Sequence, residues 1–386
     1  MTRPQILAYY FPNWHRDSRN CVWFGDGWTE WDLLRAAQPR FDGHRQPREP
    51  ALGYRDEADP VEAAIDIDLA SAHGVDGFLV DFYWYEDGAY LSRALDDGLL
   101  QATNIGDIKF ALMWANHDLV DIFPSERPGA NHRTLRTGAL TREEFERFGH
   151  AVVEKYFTHA SYLTVDGAPW LSIYQIGSLV EGLGGIDETV DALDWLRALA
   201  RKHGFPGVHL DAVVWGFGVL PRAVTLESPE QLLSALRFQS ASSYIWIHHD
   251  DLRTHPFPIG DTNRLRSAAF DEYERYASTL SLPFYPNVTV GWDPSPRTEQ
   301  AVQHVHDEYP WNPIFDATPE EFVDGLEAAR DFLVRHDPPS PIVTVNAWNE
   351  WTEGSALLPD TTHGHSYLEA IRSVFGLRGG VKRPDR

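Results

Sequence analysis

The sequence predicts an α/β fold, a (β/α)8 TIM barrel, and two observations carry that expectation. Eight short runs rich in β-branched and aromatic residues alternate with segments of helical spacing. Each run is apolar throughout rather than alternating, the mark of a strand covered on both faces. Such an alternation builds a parallel sheet, and eight repeats close it into a barrel. The competing architecture is an open doubly wound sheet, but no glycine-rich nucleotide-binding turn follows the first run. No linker, repeat or low-complexity stretch divides the 386 residues. Residues 1–376 therefore read as a single barrel domain with extended βα loops, and 377–386 as a C-terminal tail.

The first strand is expected over 6–11 and the second over 77–84, with a helix over 60–73 between them. Asp59 caps that helix, Pro60 takes its first position, and Gly74 lies just past its end. A helix over 89–103 leads to a strand over 109–116, and a helix over 142–158 to one over 170–175. The helix over 186–203, closed by Gly204, precedes a strand over 209–215 and then one over 242–247. A helix over 264–282 leads to a strand over 284–292. The last helix, 319–336, again has a capping residue, Thr318, before a first-turn proline, and the final strand spans 342–348.

Active sites of this fold sit at the carboxyl ends of the strands. Those ends carry Tyr10, Asp81, Tyr83, Trp114, Asn116, His117, Tyr174, Tyr244, Trp292 and Asp293. Folding needs only aliphatic residues there, so a shared aromatic and polar pocket explains the pattern better. The final strand is the most informative. It ends in Asn346-Ala-Trp-Asn-Glu-Trp-Thr-Glu-Gly354, two carboxylates set among indoles and amides. Paired acids supply proton transfer, and aromatic faces stack on sugar rings. In a continuous strand Glu350 and Glu353 point to opposite faces; a turn after Asn349, permitted by Gly354, brings them to one side. Two close carboxylates resist double ionisation, so one pKa must rise, and burial against Trp348 or Trp351 can set which.

Composition excludes several functions. The formal charge of −24 disfavours nucleic acid and anionic membrane surfaces as partners. Cys21 is the single cysteine, which rules out an intrachain disulfide and a thiolate zinc site. No apolar run reaches transmembrane length, and no signal segment is visible, so the expected location is the cytoplasm. No cofactor or metal is expected: His248-His-Asp-Asp251 reads as a solvated loop, because neighbouring side chains diverge and lack further ligands at known spacing.

The chain resembles the glycoside hydrolase family 99-like group, whose bacterial members are often labelled WbsX-type. The resemblance runs through Trp23-Phe-Gly-Asp-Gly-Trp-Thr-Glu-Trp31, Gly43-His-Arg-Gln-Pro-Arg48, Leu52-Gly-Tyr54, Gly74-Val-Asp-Gly-Phe78 and Trp114-Ala-Asn116. It continues in Gly291-Trp-Asp-Pro-Ser-Pro-Arg297, the Asn-Glu-Trp-x-Glu-Gly element and Tyr367-Leu-Glu-Ala-Ile-Arg372. It implies a retaining glycosidase acting on α-mannoside-like linkages of an oligosaccharide. Glu350 would be the base that drives the sugar 2-hydroxyl onto the anomeric carbon, giving a 1,2-anhydro sugar, and Glu353 the acid/base, hence the member whose pKa is expected to rise. Relatives follow Trp-Ala-Asn with Glu-Asn-Trp, whereas His117-Asp-Leu119 stands here, a departure at a loop expected to touch sugar.

Further substrate contacts are expected from Trp28, Glu30, Arg297, Trp348, Asn349 and Trp351. For Glu30, loop packing is the equal alternative; for Trp292, Asp293 and Arg297 it is an internal salt bridge closing the rim. The long insert over 119–140 reads as a lid or wall. Two rival functions stand beside the hydrolase: a glycan-assembly protein that transfers sugars, and a sugar-binding barrel without catalysis.

Overall fold

The computed structural model describes residues 2–220 and 228–377. Within them no helix is long and apolar enough to cross a membrane. Residue 377 apart, the expected tail lies outside the described residues.

Parallel strands close on themselves. They are β1 (Gln5–Tyr10), β2 (Gly77–Tyr85), β3 (Lys109–Trp114) and β4 (Ala168–Ile173). They continue with β5 (His209–Val213), β6 (Ser240–Ser242), β7 and β8 (Ile342–Asn346). Strand β7 comes in two pieces, Phe284–Tyr285 and Asn287–Thr289, because Pro286 between them has no N–H for the ladder. The first piece pairs with β6 and the second with β8, which pairs in turn with β1, so the cylinder closes. The seventh strand is thus shorter than expected. Gly291–Trp292 leaves the barrel wall and pairs antiparallel with Phe315–Asp316 on the rim.

Around the barrel pack α1 (Pro60–His73), α2 (Arg142–Ala151), α3 (Ile186–Lys202), α4 (Thr262–Thr279), α5 (Pro319–His336) and α6 (Ser366–Phe375). The caps read from sequence form as bonds. Asp59 accepts from the Val61 N–H, and Thr318 forms a reciprocal capping box with Glu321. Gly74 closes α1 at φ 85°, where a side chain would meet the Gly376 carbonyl at 2.6 Å.

Two expectations change. In place of a helix over 89–103, Gly88–Tyr90 folds back antiparallel on β2, and a wide turn, Ala94–Gly98, and a tight one, Leu99–Gln101, follow. Gly98 lies so close to the backbone of Glu57 that a side chain there would meet its carbonyl at 2.1 Å. Strand β6 stops at Ser242 rather than running to 247, and Trp246–His249 form a tight turn. His248 and His249 are consequently buried, not part of a solvated loop.

Inside the barrel, Asp211 of β5 accepts hydrogen bonds from Ser172 at 2.9 Å and from Ser240 and Ser242 at 2.7 Å each. Burial still pushes its carboxyl up to about 6.

Candidate active site

The chain after β8 is fastened to the end of β1. The Trp348 N–H donates to the Tyr9 carbonyl at 2.7 Å. The Asn349 amide takes the Phe11 N–H at 2.8 Å and donates to the Phe11 carbonyl at 2.9 Å. Glu350 and Ser355 then exchange backbone bonds across a tight turn, Trp351–Glu353. Gly354 ends it at φ 68°, where a side chain would meet the Asp293 Cβ at 2.7 Å. This turn sets Glu350 and Glu353 on one side. Each is 4% exposed, and both line one cavity of about 100 Å³ at the carboxyl ends of the strands.

Arg297 organises the acids. Its Nη1 pairs with Glu353, its Nε donates to Glu30 at 2.8 Å, and its Nη2 lies 3.7 Å from Glu350. The Tyr309 hydroxyl donates to Glu353 at 3.0 Å. On the other side, the Tyr244 hydroxyl lies 3.0 Å from Glu350 and 3.0 Å from Asp81.

Burial raises both members of the pair, and the charge of Glu353 lifts Glu350 further. The sequence expectation singles out Glu353; in the buried pair both acids rise. Against the burial of Glu353 the largest counterweight is the Arg297 charge in direct contact, which reaches Glu350 only at a distance. Burial also raises Asp81 well above its ordinary range and keeps Tyr83, Tyr174, Tyr244 and Tyr309 neutral. It lowers His117, whose Nδ1 sits 2.9 Å from the Asp118 carbonyl, and His248. Nδ1–H of His117 is therefore the donor, and its Nε2 keeps a free lone pair.

Of the residues expected from sequence, Asp81, Tyr83, His117, Tyr174, Tyr244, Trp292, Arg297, Glu350 and Glu353 line the cavity together. The others do not. Trp114 stacks on Phe148 of α2, with ring centres 4.4 Å apart, because its strand neighbours Met113 and Ala115 take the inward positions. Tyr10 points away for the same reason, with Phe11 facing in. It lines a small separate cavity behind the turn after β8 with Asn349 and Trp351. The Trp348 indole donates to Asp66 at 3.2 Å, and Asn116 exchanges two 2.7 Å bonds with Gln175. Asp293 accepts from Gln46 at 2.6 Å and contacts His44 at 2.8 Å. Glu30 sits behind Arg297, and Trp28 stacks on the cavity-lining Phe123.

The insert over 119–140 does contribute a wall: Leu119, Val120, Ile122 and Phe123 line the cavity. Sequence reasoning missed Tyr309 and His248. Tyr309 stands in the long rim loop after β7, where Tyr309-Pro-Trp311 was the available aromatic signal. Among the described residues, no group of three or more His, Cys, Asp or Glu is placed to hold a metal ion.

The family described as glycosyltransferase WbsX matches residues 6–371. WxcX of Xanthomonas campestris pv. campestris, in two strains, is 29% identical over 375 residues, covering 96% of this chain and 49% of the relative. The chain thus spans about half the length of the curated relatives it matches. Among solved structures, the GH99 endo-alpha-mannosidase from Bacteroides thetaiotaomicron superposes with a TM-score of 0.59 at 15% identity, covering 96% of each chain. A beta-glucosidase from Thermotoga maritima, solved with castanospermine, gives 0.50 at 8% identity, covering 98% of this chain and 99% of that one. At such identities the likeness is one of fold, the barrel common to these glycoside hydrolases.

Proposed function

This chain belongs to the family described as glycosyltransferase WbsX, and from that premise we propose that it cleaves glycans, as a retaining, metal-independent glycosidase acting on α-mannoside-like linkages. One observation carries the reading: Glu350 and Glu353, three residues apart, are both buried and face one aromatic-walled cavity. Sugar binding alone does not call for two desolvated acids.

In this reading a pyranose lies among Tyr83, Tyr174 and Tyr244, with its glycosidic oxygen toward Glu353. Glu350, ionised, takes the proton of the neighbouring hydroxyl, whose oxygen closes onto the anomeric carbon as the leaving oxygen is protonated by Glu353. Glu353 then takes a proton from water as that water opens the anhydro ring, and Glu350 returns its proton to the sugar oxygen. Two inversions give net retention. This differs from the commoner scheme in which one carboxylate attacks the sugar itself. The pair is within hydrogen-bonding reach of itself, so one proton can be held on Glu353 while Glu350 stays ionised.

The family's description favours a second reading, sugar transfer from a nucleotide donor. Against it, Arg297 is the single Lys or Arg lining the cavity among the described residues, and it already serves Glu30 and Glu353. Among the described residues a diphosphate would find no free cation in the cavity. The deciding experiment incubates the protein with aryl glycosides and α-mannan or related oligosaccharides, following products by NMR. Nucleotide-independent release with retained anomeric configuration supports the glycosidase. Donor-dependent transfer, or binding without turnover, would replace it.

A further inference from the structure

Tyr244 has one hydroxyl hydrogen and two carboxyl neighbours. Its oxygen lies 3.0 Å from Asp81 Oδ2 and 3.0 Å from Glu350 Oε2, and the hydrogen can point to only one of them. Were both carboxyls ionised, the remaining contact would set two lone pairs against each other at hydrogen-bonding distance, in a buried site where that repulsion is poorly screened. The geometry therefore requires a second proton, on Asp81 or on Glu350.

The surroundings choose between them. Arg297 lies 3.7 Å from Glu350, whereas among the described residues Asp81 has no ion-pair partner. Asp81 lines the cavity and is 3% exposed, and its buried Oδ1 has no hydrogen-bond partner among the described residues. The groups facing it are neutral or acidic: Tyr9 from β1, Tyr83 from its own strand and Tyr174 after β4. Tyr244 follows β6, and Glu350 and Glu353 follow β8. A negative charge at Asp81 has no compensation that Glu350 lacks, and less of what Glu350 has.

We propose that Asp81 stays protonated in the working enzyme and donates to the Tyr244 oxygen, so that the single phenolic hydrogen is committed to the Glu350 carboxylate. Asp81 is then a positioning residue: a donor chain runs from its O–H through the Tyr244 O–H to Glu350, and holds Glu350 ionised and oriented as a base. The burial that raises Asp81 well above its ordinary range acts in the same direction. No bond to substrate is made or broken by Asp81. The inference rests on the reading of Glu350 as the base, and it adds a requirement that reading does not contain.

An asparagine at position 81 can donate to the Tyr244 oxygen as the protonated acid does; an alanine cannot. The test uses the full chain and two readouts. Infrared difference spectroscopy of the unliganded protein at neutral pH should show a buried protonated-carboxyl band that vanishes in Asp81→Asn and persists in both Glu350→Gln and Glu353→Gln. A band absent from the wild type, or unmoved by Asp81→Asn, overturns the inference even if glycans are cleaved. With a cleavable aryl glycoside, Asp81→Asn should hold kcat/KM at least about tenfold above Asp81→Ala. It should also leave the acidic limb of the pH profile in place, because one neutral group replaces another. If Asp81 is ionised instead, Asp81→Asn removes a negative neighbour, the limb moves to lower pH, and Asn falls with Ala. Failure to cleave any glycan counts against the proposed function alone, since the infrared result stands without substrate.

Discussion

The Arg297 guanidinium pairs directly with Glu353 and stands 3.7 Å from Glu350, so one buried cation biases two candidate catalytic acids unequally. Neither the spacing of three nor the identity of the acids foretells this asymmetry. It follows from a rim loop after β7 reaching across to the turn after β8.

The pair can be separated by leaving group. Glu353→Gln should lower cleavage of an alkyl glycoside by about 100-fold or more, the ordinary weight of a general acid. A nitrophenyl glycoside needs little protonation and should recover much of that loss. Glu350→Gln should depress both substrates alike. Kinetics on the two substrates decide the matter: selective rescue of Glu350→Gln would reverse the assigned roles.

Arg297 is 4% exposed, and its charge is matched by three carboxylates. Arg297→Met should therefore destabilise the fold by about 3–5 kcal/mol, the cost of stranding buried charge, read as a lowered urea midpoint. Loss of the cation raises the pKa of both Glu350 and Glu353, so the acidic limb of any residual activity should move to higher pH. Arg297→Met combined with Glu30→Gln removes one stranded charge and should recover part of the stability. A double variant no more stable than the single one would mean that Glu30 is not an ion-pair partner of weight.

Asp211 should make stability depend on pH in a predictable direction. Its folded-state pKa of about 6 lies above the ordinary carboxylate value, so folding binds its proton more tightly than the unfolded chain does. That contribution is full below about pH 4 and is lost as pH rises through about 6. Asp211→Asn abolishes the titration. Its stability relative to wild type should thus improve between pH 4 and 7.5 by about 3 kcal/mol, whatever the substitution costs in hydrogen bonds to Ser172, Ser240 and Ser242. Urea denaturation at the two pH values measures the change; an equal gap at both would show that Asp211 is ionised throughout.

Much of the barrel could be read in the sequence because both faces of each strand are covered, and uniformly apolar runs announce that. The same uniformity hides which alternate residues face inward. Asp81 and Tyr83 share the inward parity of β2, whereas Trp114 and Tyr10, equally aromatic and equally placed at strand ends, fall on the outward one. His248 and His249 read as a solvated loop because neighbouring side chains diverge without further ligands; the strand's stop at Ser242 buries both, and His248 lines the cavity. Tyr309 comes from the loop between Trp292 and α5, where no periodicity indicates which side chain reaches the cavity.

His117 stands where the family resemblance leads the sequence to expect a glutamate, and its state is set by its neighbours. The Asp118 carbonyl 2.9 Å away takes the Nδ1 proton, and burial keeps the ring neutral, so Nε2 presents a lone pair within a cavity of acids. A glutamate there would add another negative charge near Asp81, Glu350 and Glu353, with Arg297 already committed. An uncharged acceptor that takes a hydrogen from a sugar hydroxyl avoids that repulsion. His117→Gln offers a neutral acceptor and should keep most of the substrate affinity. His117→Ala should raise KM by about tenfold, the scale of one lost hydrogen bond, and His117→Glu should lower kcat as well, because a further charge lifts the pKa of Glu350. Steady-state kinetics on one glycoside distinguish the three. Should His117→Ala match the wild type in KM, the imidazole makes no contact with sugar, and the departure at this position says nothing about substrate choice.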